Sequence, residues 1–149
     1  MAWALAVIAV VCAAAGALGW ARHRWTVVTV RGMSMSPTME DGDRVLVRRC
    51  AGADLRSGQI VVASPPGRSR SGWNVKRAVA LPGDPVPADM RPAVHGEVVP
   101  PGALVMRGDN PLSLDSRQLG FYSLDEVMGI VTYQMSTGHR RPDAGIASA

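Results

Sequence analysis

Gly32-Met33-Ser34-Met35-Ser36-Pro37-Thr38-Met39-Glu40-Asp41-Gly42-Asp43-Arg44-Val45-Leu46-Val47 is the stretch from which the architecture can be read outward. Before it lies Trp25-Thr26-Val27-Val28-Thr29-Val30, a run rich in β-branched residues that reads as a strand. Within it, Gly32 and Pro37 bound a tight turn, and Asp41-Gly42-Asp43 makes a second one. After that turn, Arg44 to Arg48 alternates basic and apolar side chains, the mark of a half-exposed strand. Ile60 to Ala63, Asn74 to Val79, Ala103 to Met106 and Glu126 to Gln134 repeat the theme of short apolar runs between turn residues. No stretch after Trp25 carries a helical period over three turns. The expectation is an all-β fold, a compact antiparallel β-sheet domain over residues 25–135. Pro82 to Pro101 is expected to be irregular, and residues 136–149 to form a disordered tail.

Upstream the chain changes character. From Ala2 to Ala21 there is no charged side chain, about the length that crosses a bilayer as one helix. Trp3 and Trp20 stand near its ends, where amphipathic rings favour the interface, and Cys12 then faces lipid or protein as an inert thiol. The expectation is one N-terminal transmembrane helix over residues 1–21, left uncleaved. The rivals are a buried core helix or a secretory signal cut at Ala15-Gly16-Ala17, which the missing basic n-region argues against. Arg22, His23 and Arg24 follow at once, and flanking charge alone favours a cytoplasmic C-terminal domain.

The chain has 149 residues with 47% hydrophobic and 19% charged, enough for one ordinary domain and unlike a disordered tail. Its formal charge is +4, and of sixteen basic residues fifteen are Arg and one, Lys76, is Lys. Chemistry that needs a neutral amine must use Lys76 or the amino terminus, because Arg keeps its proton. Two Cys and three His exclude the usual structural zinc patterns, and a Cys12–Cys50 disulfide is not expected. No metal or other cofactor is called for. Basic residues lack interleaved aromatics, which argues against nucleic acid as a partner.

Three segments carry the chemistry. A serine in the Gly32–Thr38 turn can present a hydroxyl beside backbone N–H groups, as acyl transfer requires, although most turn serines are only turn residues. In Asn74-Val75-Lys76-Arg77-Ala78-Val79-Ala80-Leu81-Pro82-Gly83-Asp84, a strand would put Lys76 and Ala78 on one face and Arg77 on the other. Apolar surroundings would lower the Lys76 pKa from about 10.4 and let it accept a serine proton. The third segment, Gly108-Asp109-Asn110-Pro111-Leu112-Ser113-Leu114-Asp115-Ser116-Arg117, is a turn by composition that can bring a hydroxyl and ion-pair partners to a site.

Taken in order, these segments resemble type I signal peptidases, the membrane-bound serine proteases with a Ser–Lys dyad. Gly32 to Thr38 matches the family pattern Gly-x-Ser-Met-x-Pro-Thr. Lys76 to Asp84 matches Lys-Arg-Ala-Val-x-Leu-Pro-Gly-Asp, with Ala80 where Gly is commoner. Gly108 to Asn110 and Ser113 to Arg117 match the third motif. The resemblance implies that Ser34 is the nucleophile and Lys76 the general base. It makes Ser113 the hydroxyl that orients the lysine, and Asp109, Asp115, Arg77 and Arg117 the supporting ion-pair residues. It also implies Val28, Val30, Met35, Met39 and Val75 as the apolar substrate-binding positions, though any one Met is more often plain core. The sequence departs from the pattern at Gly32, where some members supply an oxyanion-hole hydroxyl. It departs again between Asn110 and Ser113, where one residue is missing and Pro111 replaces a common Arg.

The same resemblance implies the substrates and the compartment. The expected partners are signal-peptide-bearing precursors, cut after small residues in an Ala-x-Ala-like pattern, and the lipid bilayer. The expected location is a cell membrane, single-pass, with the catalytic domain extracytoplasmic, against the Arg22/Arg24 charge signal. Alternatives are a dedicated maturation protease for one secreted peptide, or an anchored β-domain whose site has lapsed. A self-cleaving repressor is disfavoured by the N-terminal apolar run. Oligomeric state cannot be read from the sequence.

Overall fold

A computed structural model of the chain describes residues 2–67, 72–91 and 93–135. The tail expected over 136–149 and the basic loop tip at 68–71 lie outside the described residues. Helix α1 (Ala2–Arg24) leads into strand β1 (Trp25–Thr29), and six further strands follow. These are β2 (Arg44–Arg49), β3 (Ile60–Ala63), β4 (Asn74–Ala80), β5 (Ala103–Arg107), β6 (Tyr122–Ser123) and β7 (Val127–Met135), with a one-turn helix α2 (Ser116–Leu119) before β6. They form one seven-stranded sheet in the order β1-β2-β7-β3-β4-β5-β6, antiparallel throughout. The six expected strands are present within a residue or two. The two-residue β6 and α2 were not expected, because neither is long enough to show a period.

Both faces of the sheet are covered in its middle, which is why Ile60-Val61-Val62-Ala63 reads as an unbroken apolar run. On one face Val61, Ala63 and Ala78 pack with Leu104, Met106, Tyr122, Ile130 and Leu55. On the other, Val62 and Val75 pack with Val45, Val47, Val30, Met35 and Met39. The two-residue period of a strand divides Val61 from Val62 and Val75 from Lys76 in this way. Register shifts at Leu46/Val47, Val62/Ala63 and Ala78/Ala80 add local twist. The sheet curls, because the turn that follows β1 at one edge bonds to the loop that follows β5, with four strands between them in the order.

The segment expected to be irregular has a small core of its own. Val86, Met90, Val94 and Val99 are buried with Ala80 and Val105, and Pro85 and Val98 form an isolated antiparallel bridge. Its apolar residues sit between Pro, Asp and Gly at uneven spacing, so no period announced them.

Among the described residues no helix is long and apolar enough to cross a membrane. The side chains of residues 2, 4, 5, 6 and 21 lie outside the described set, and Val7 to Trp20 are apolar and exposed. The expected transmembrane helix over residues 1–21 is therefore not established by α1 as described.

Candidate active site

Ser34 sits half-buried in the turn after β1. Its neighbour Met35 is fully buried and accepts at its carbonyl the N–H of Met39 at 2.9 Å, which closes the turn. Two apolar anchors, Met35 and Met39, pin the turn to the sheet and leave Ser34 at its rim. The Asn110 N–H donates to the Ser34 carbonyl at 3.1 Å, and Asn110 Nδ2 donates to the Met33 carbonyl at 2.9 Å. The Ser34 N–H donates to no described residue. The Gly32 N–H is committed instead: it donates to Asp41 Oδ1 at 2.6 Å, with Gly32 held at φ +82°.

Lys76 lies on β4 with only 4% of its surface exposed. It stands opposite Val61 and shares its strand face with the buried Ala78, and it makes no salt bridge with a described residue. Burial lowers its pKa from the ordinary lysine value; the Asp115 carboxylate opposes that shift and Arg117 reinforces it. Asp115 has little left to offer the lysine. Fully buried, it holds Arg117 through Nε at 2.9 Å and Nη2 at 2.8 Å, accepts the Gly108 N–H at 2.8 Å and caps α2. Burial pushes the Asp115 carboxyl up, but these donors outweigh it and hold the group below the usual carboxylate range.

Arg77 points to the opposite face, as alternation requires, and grips Asp109 with two bonds of 2.9 and 2.6 Å. The Arg77 guanidinium, helped by Thr38, keeps Asp109 below its usual pKa despite partial burial. This clamp ties β4 to the loop after β5. Ser113 is buried in that loop, and its Oγ has no hydrogen-bond partner among the described residues.

Gly108 is the point at which these parts meet. A Cβ built there would lie 2.5 Å from the Ser34 carbonyl and would collide with Ser113 Cβ and Oγ. Gly108 also sits one residue beyond the Arg77–Arg107 pair of the β4–β5 ladder, level with Lys76. The Ser34 turn, the Lys76 strand and the Ser113 loop thus converge on one glycine.

Residues 1–91 match the signal peptidase, peptidase S26 family. The chain belongs to that family. A curated relative, mitochondrial inner membrane protease subunit 1 of Schizosaccharomyces pombe, is 34% identical over 103 residues. That alignment covers 66% of this chain and 65% of the relative, so the chain spans just under two thirds of the relative's length.

The family match over residues 1–91 includes Ser34 and Lys76, while Gly108 to Arg117 lie beyond it. Val30, Met35, Met39 and Val75 are buried in one cluster with Val45, Val47 and Val62, and Val28 packs half-buried at its edge. Gly108, Asn110 and Asp41 carry structural tasks that the sequence reading did not single out. Gly108 and Asn110 were visible only as letters of a motif, and Asp41 only as a turn residue. Cys12 is exposed on α1 and Cys50 is half-buried; both are free thiols.

Proposed function

We propose that this signal peptidase family member is a serine endopeptidase that removes signal or leader peptides after small residues, with Ser34 as nucleophile and Lys76 as general base. The observation that carries the reading is the buried, unpaired Lys76, whose one available carboxylate neighbour is consumed by Arg117. Burial lowers the pKa of a lysine in that setting, so it gives up its own proton more readily than an ordinary lysine and can then take one that an arginine could not. Ser34 Oγ attacks the scissile carbonyl carbon and gives its proton to Lys76 Nζ, and the oxyanion faces the Ser34 N–H. Collapse breaks the peptide C–N bond, the Lys76 ammonium protonates the departing amine, and an ester remains on Ser34. Lys76 then removes a proton from water, which attacks the ester carbonyl, and as the acyl C–O bond breaks the Lys76 ammonium returns that proton to Ser34 Oγ, releasing the carboxylic acid product. No metal or cofactor takes part in this scheme.

The supporting residues divide by what they hold. Ser113, whose buried hydroxyl has no hydrogen-bond partner among the described residues, is available to take up a bond to the Lys76 amine when the site is engaged. Asp109 with Arg77, and Asp115 with Arg117, fix the loop after β5 against β4 and α2. Val28, half-buried, lies at the β1 edge beside which a small-x-small segment pairs through its backbone, while Val30, Met35, Met39 and Val75 are buried in the cluster on which Val28 packs and support that edge from within.

Residues 1–21 serve in this reading as a single membrane anchor, with residues 25–135 as the catalytic domain on the extracytoplasmic side. What supports it is the exposed apolar surface of α1 from Val7 to Trp20, and a relative whose name places it in an inner membrane. The substrates are precursors bearing signal peptides. Ser34→Ala and Lys76→Ala should each abolish cleavage of such a precursor. Full activity in either variant would refute the dyad, and full protease protection of the domain in intact cells would refute its placement.

A further inference from the structure

The catalytic reading leaves most of the arginines unexplained, including the Arg22-His23-Arg24 run that disagrees with the expected orientation. The structure gathers several of them at one place. Where α1 ends against β2 there is an open cavity of about 360 Å³, lined by His23, Arg24, Arg48, Arg49, Cys50 and Asp54. Three arginines and a histidine thus face one carboxylate across a single cavity, and none of these groups forms a salt bridge with a described residue. Arg48 is half-buried while Arg24 and Arg49 are exposed, so a ligand can reach the last two from solvent.

Position narrows the ligand. The cavity begins one turn past Trp20, and the Arg24 guanidinium lies over the Trp20 ring with 5.3 Å between its carbon and the ring centroid. A Trp–Arg pair at the end of an apolar helix belongs at the depth of lipid headgroups, where the ring and the arginine stem meet acyl chains and the charge meets phosphate. Planar guanidinium groups bind phosphate oxygens two at a time, a geometry that lysine does not offer. We propose that this cavity is a phosphate-binding site that takes the headgroup of an anionic phospholipid and seats the β-domain on the bilayer surface. His23 and Arg24 of the basic run at the end of α1 then have a role as ligands for lipid beside any bearing on orientation.

The site rests on the membrane reading of α1 and not on the Ser34–Lys76 chemistry, so the two can fail separately. The test uses the full chain in uncharged maltoside micelles, titrated with dihexanoyl-phosphatidylglycerol, dihexanoyl-phosphatidylcholine and inorganic phosphate. Tryptophan fluorescence and calorimetry follow binding. Saturable binding of the phosphatidylglycerol is expected, weakened by salt and tighter than binding of the other two ligands. Arg48→Gln with Arg49→Gln should weaken it about 25-fold, about fivefold for each arginine removed. Cleavage of a soluble peptide should be unchanged in that variant. If the double variant does not fold, Arg49→Gln alone, at an exposed position, carries the fivefold test. Binding that is unsaturable, or unaltered by the substitutions, overturns the site. Equal affinity for inorganic phosphate overturns the lipid assignment, and equal affinity for phosphatidylcholine overturns the charge argument.

Discussion

Gly108→Ala tests whether the three motifs truly share one point in space. The added Cβ would lie 2.5 Å from the Ser34 carbonyl, where ordinary contact begins near 3.4 Å. The carbonyl, or the strand end that carries Gly108, must therefore retreat by about 0.9 Å. Neither side gives way cheaply. Ser34 is tethered through its own carbonyl and through Met33 by Asn110, and Gly108 by the carboxylate of Asp115. Overpacking of this kind costs about 1–3 kcal/mol in stability. A displacement near 1 Å at a reacting group can cost about a hundredfold in rate. The assay is kcat/KM on a precursor with a small-x-small site, read beside a thermal melt so that lost activity is not mistaken for lost fold. Ser113 contributes the other two collisions, so the double variant Gly108→Ala with Ser113→Gly should be compared with Ser113→Gly alone. The double should still lose activity, because the clash with the Ser34 carbonyl persists. A Gly108→Ala protein with native melting and undiminished kcat/KM would refute the convergence.

Three further outcomes follow from the same geometry. Lys76→Met should be inactive yet more stable than the parent at neutral pH, since it removes a buried amine whose charging burial disfavours. Between its lowered folded pKa and the ordinary lysine value, the unfolded chain binds the proton and the folded chain does not. The parent's stability should therefore rise with pH across that window, and its deficit against Lys76→Met should shrink; denaturant midpoints at several pH values would show a constant gap if the argument is wrong. Asp115→Ala strands the Arg117 guanidinium and the Gly108 N–H together, and should cost about 3 kcal/mol. Because the Asp115 carboxyl is held below its usual range, its stabilisation is present above the ordinary carboxylate pKa and is lost as pH falls through the folded value. A parent and an Asp115→Ala variant with parallel acid-unfolding curves would contradict this. Asp41→Ala frees the Gly32 N–H at an exposed site, so melting should change little, by about 0.5 kcal/mol. Cleavage should fall about tenfold as the turn before Ser34 loosens; unchanged kcat/KM would show that Asp41 does not position the nucleophile.

Local chemistry is what made the strands and the motif residues legible. Runs such as Val27–Val30 and Ile60–Ala63 are β-branched and bounded by turn formers, so strand type and extent follow from the residues themselves. Alternation put Lys76 and Arg77 on opposite faces of β4 before any neighbour was known, and Arg77 does pair with Asp109 away from Lys76. The core of Val86, Met90, Val94 and Val99 had no such signal, because its members come from a non-repeating segment and meet only after the chain has turned.

The lone lysine marks the boundary between the two kinds of information. Sequence by itself determined that one titratable amine exists after the amino terminus, that it lies on a strand, and that a serine sits in a tight turn elsewhere. Only the tertiary structure decided the environment of that amine: buried against Val61, passed over by a carboxylate that Arg117 already occupies, and level with the glycine that the Ser34 turn touches. Strand identity is written in neighbours one to four residues apart. A pKa is set by charges and burial that arrive from β3, β5 and α2, and no local pattern of residues records how those distant groups will meet.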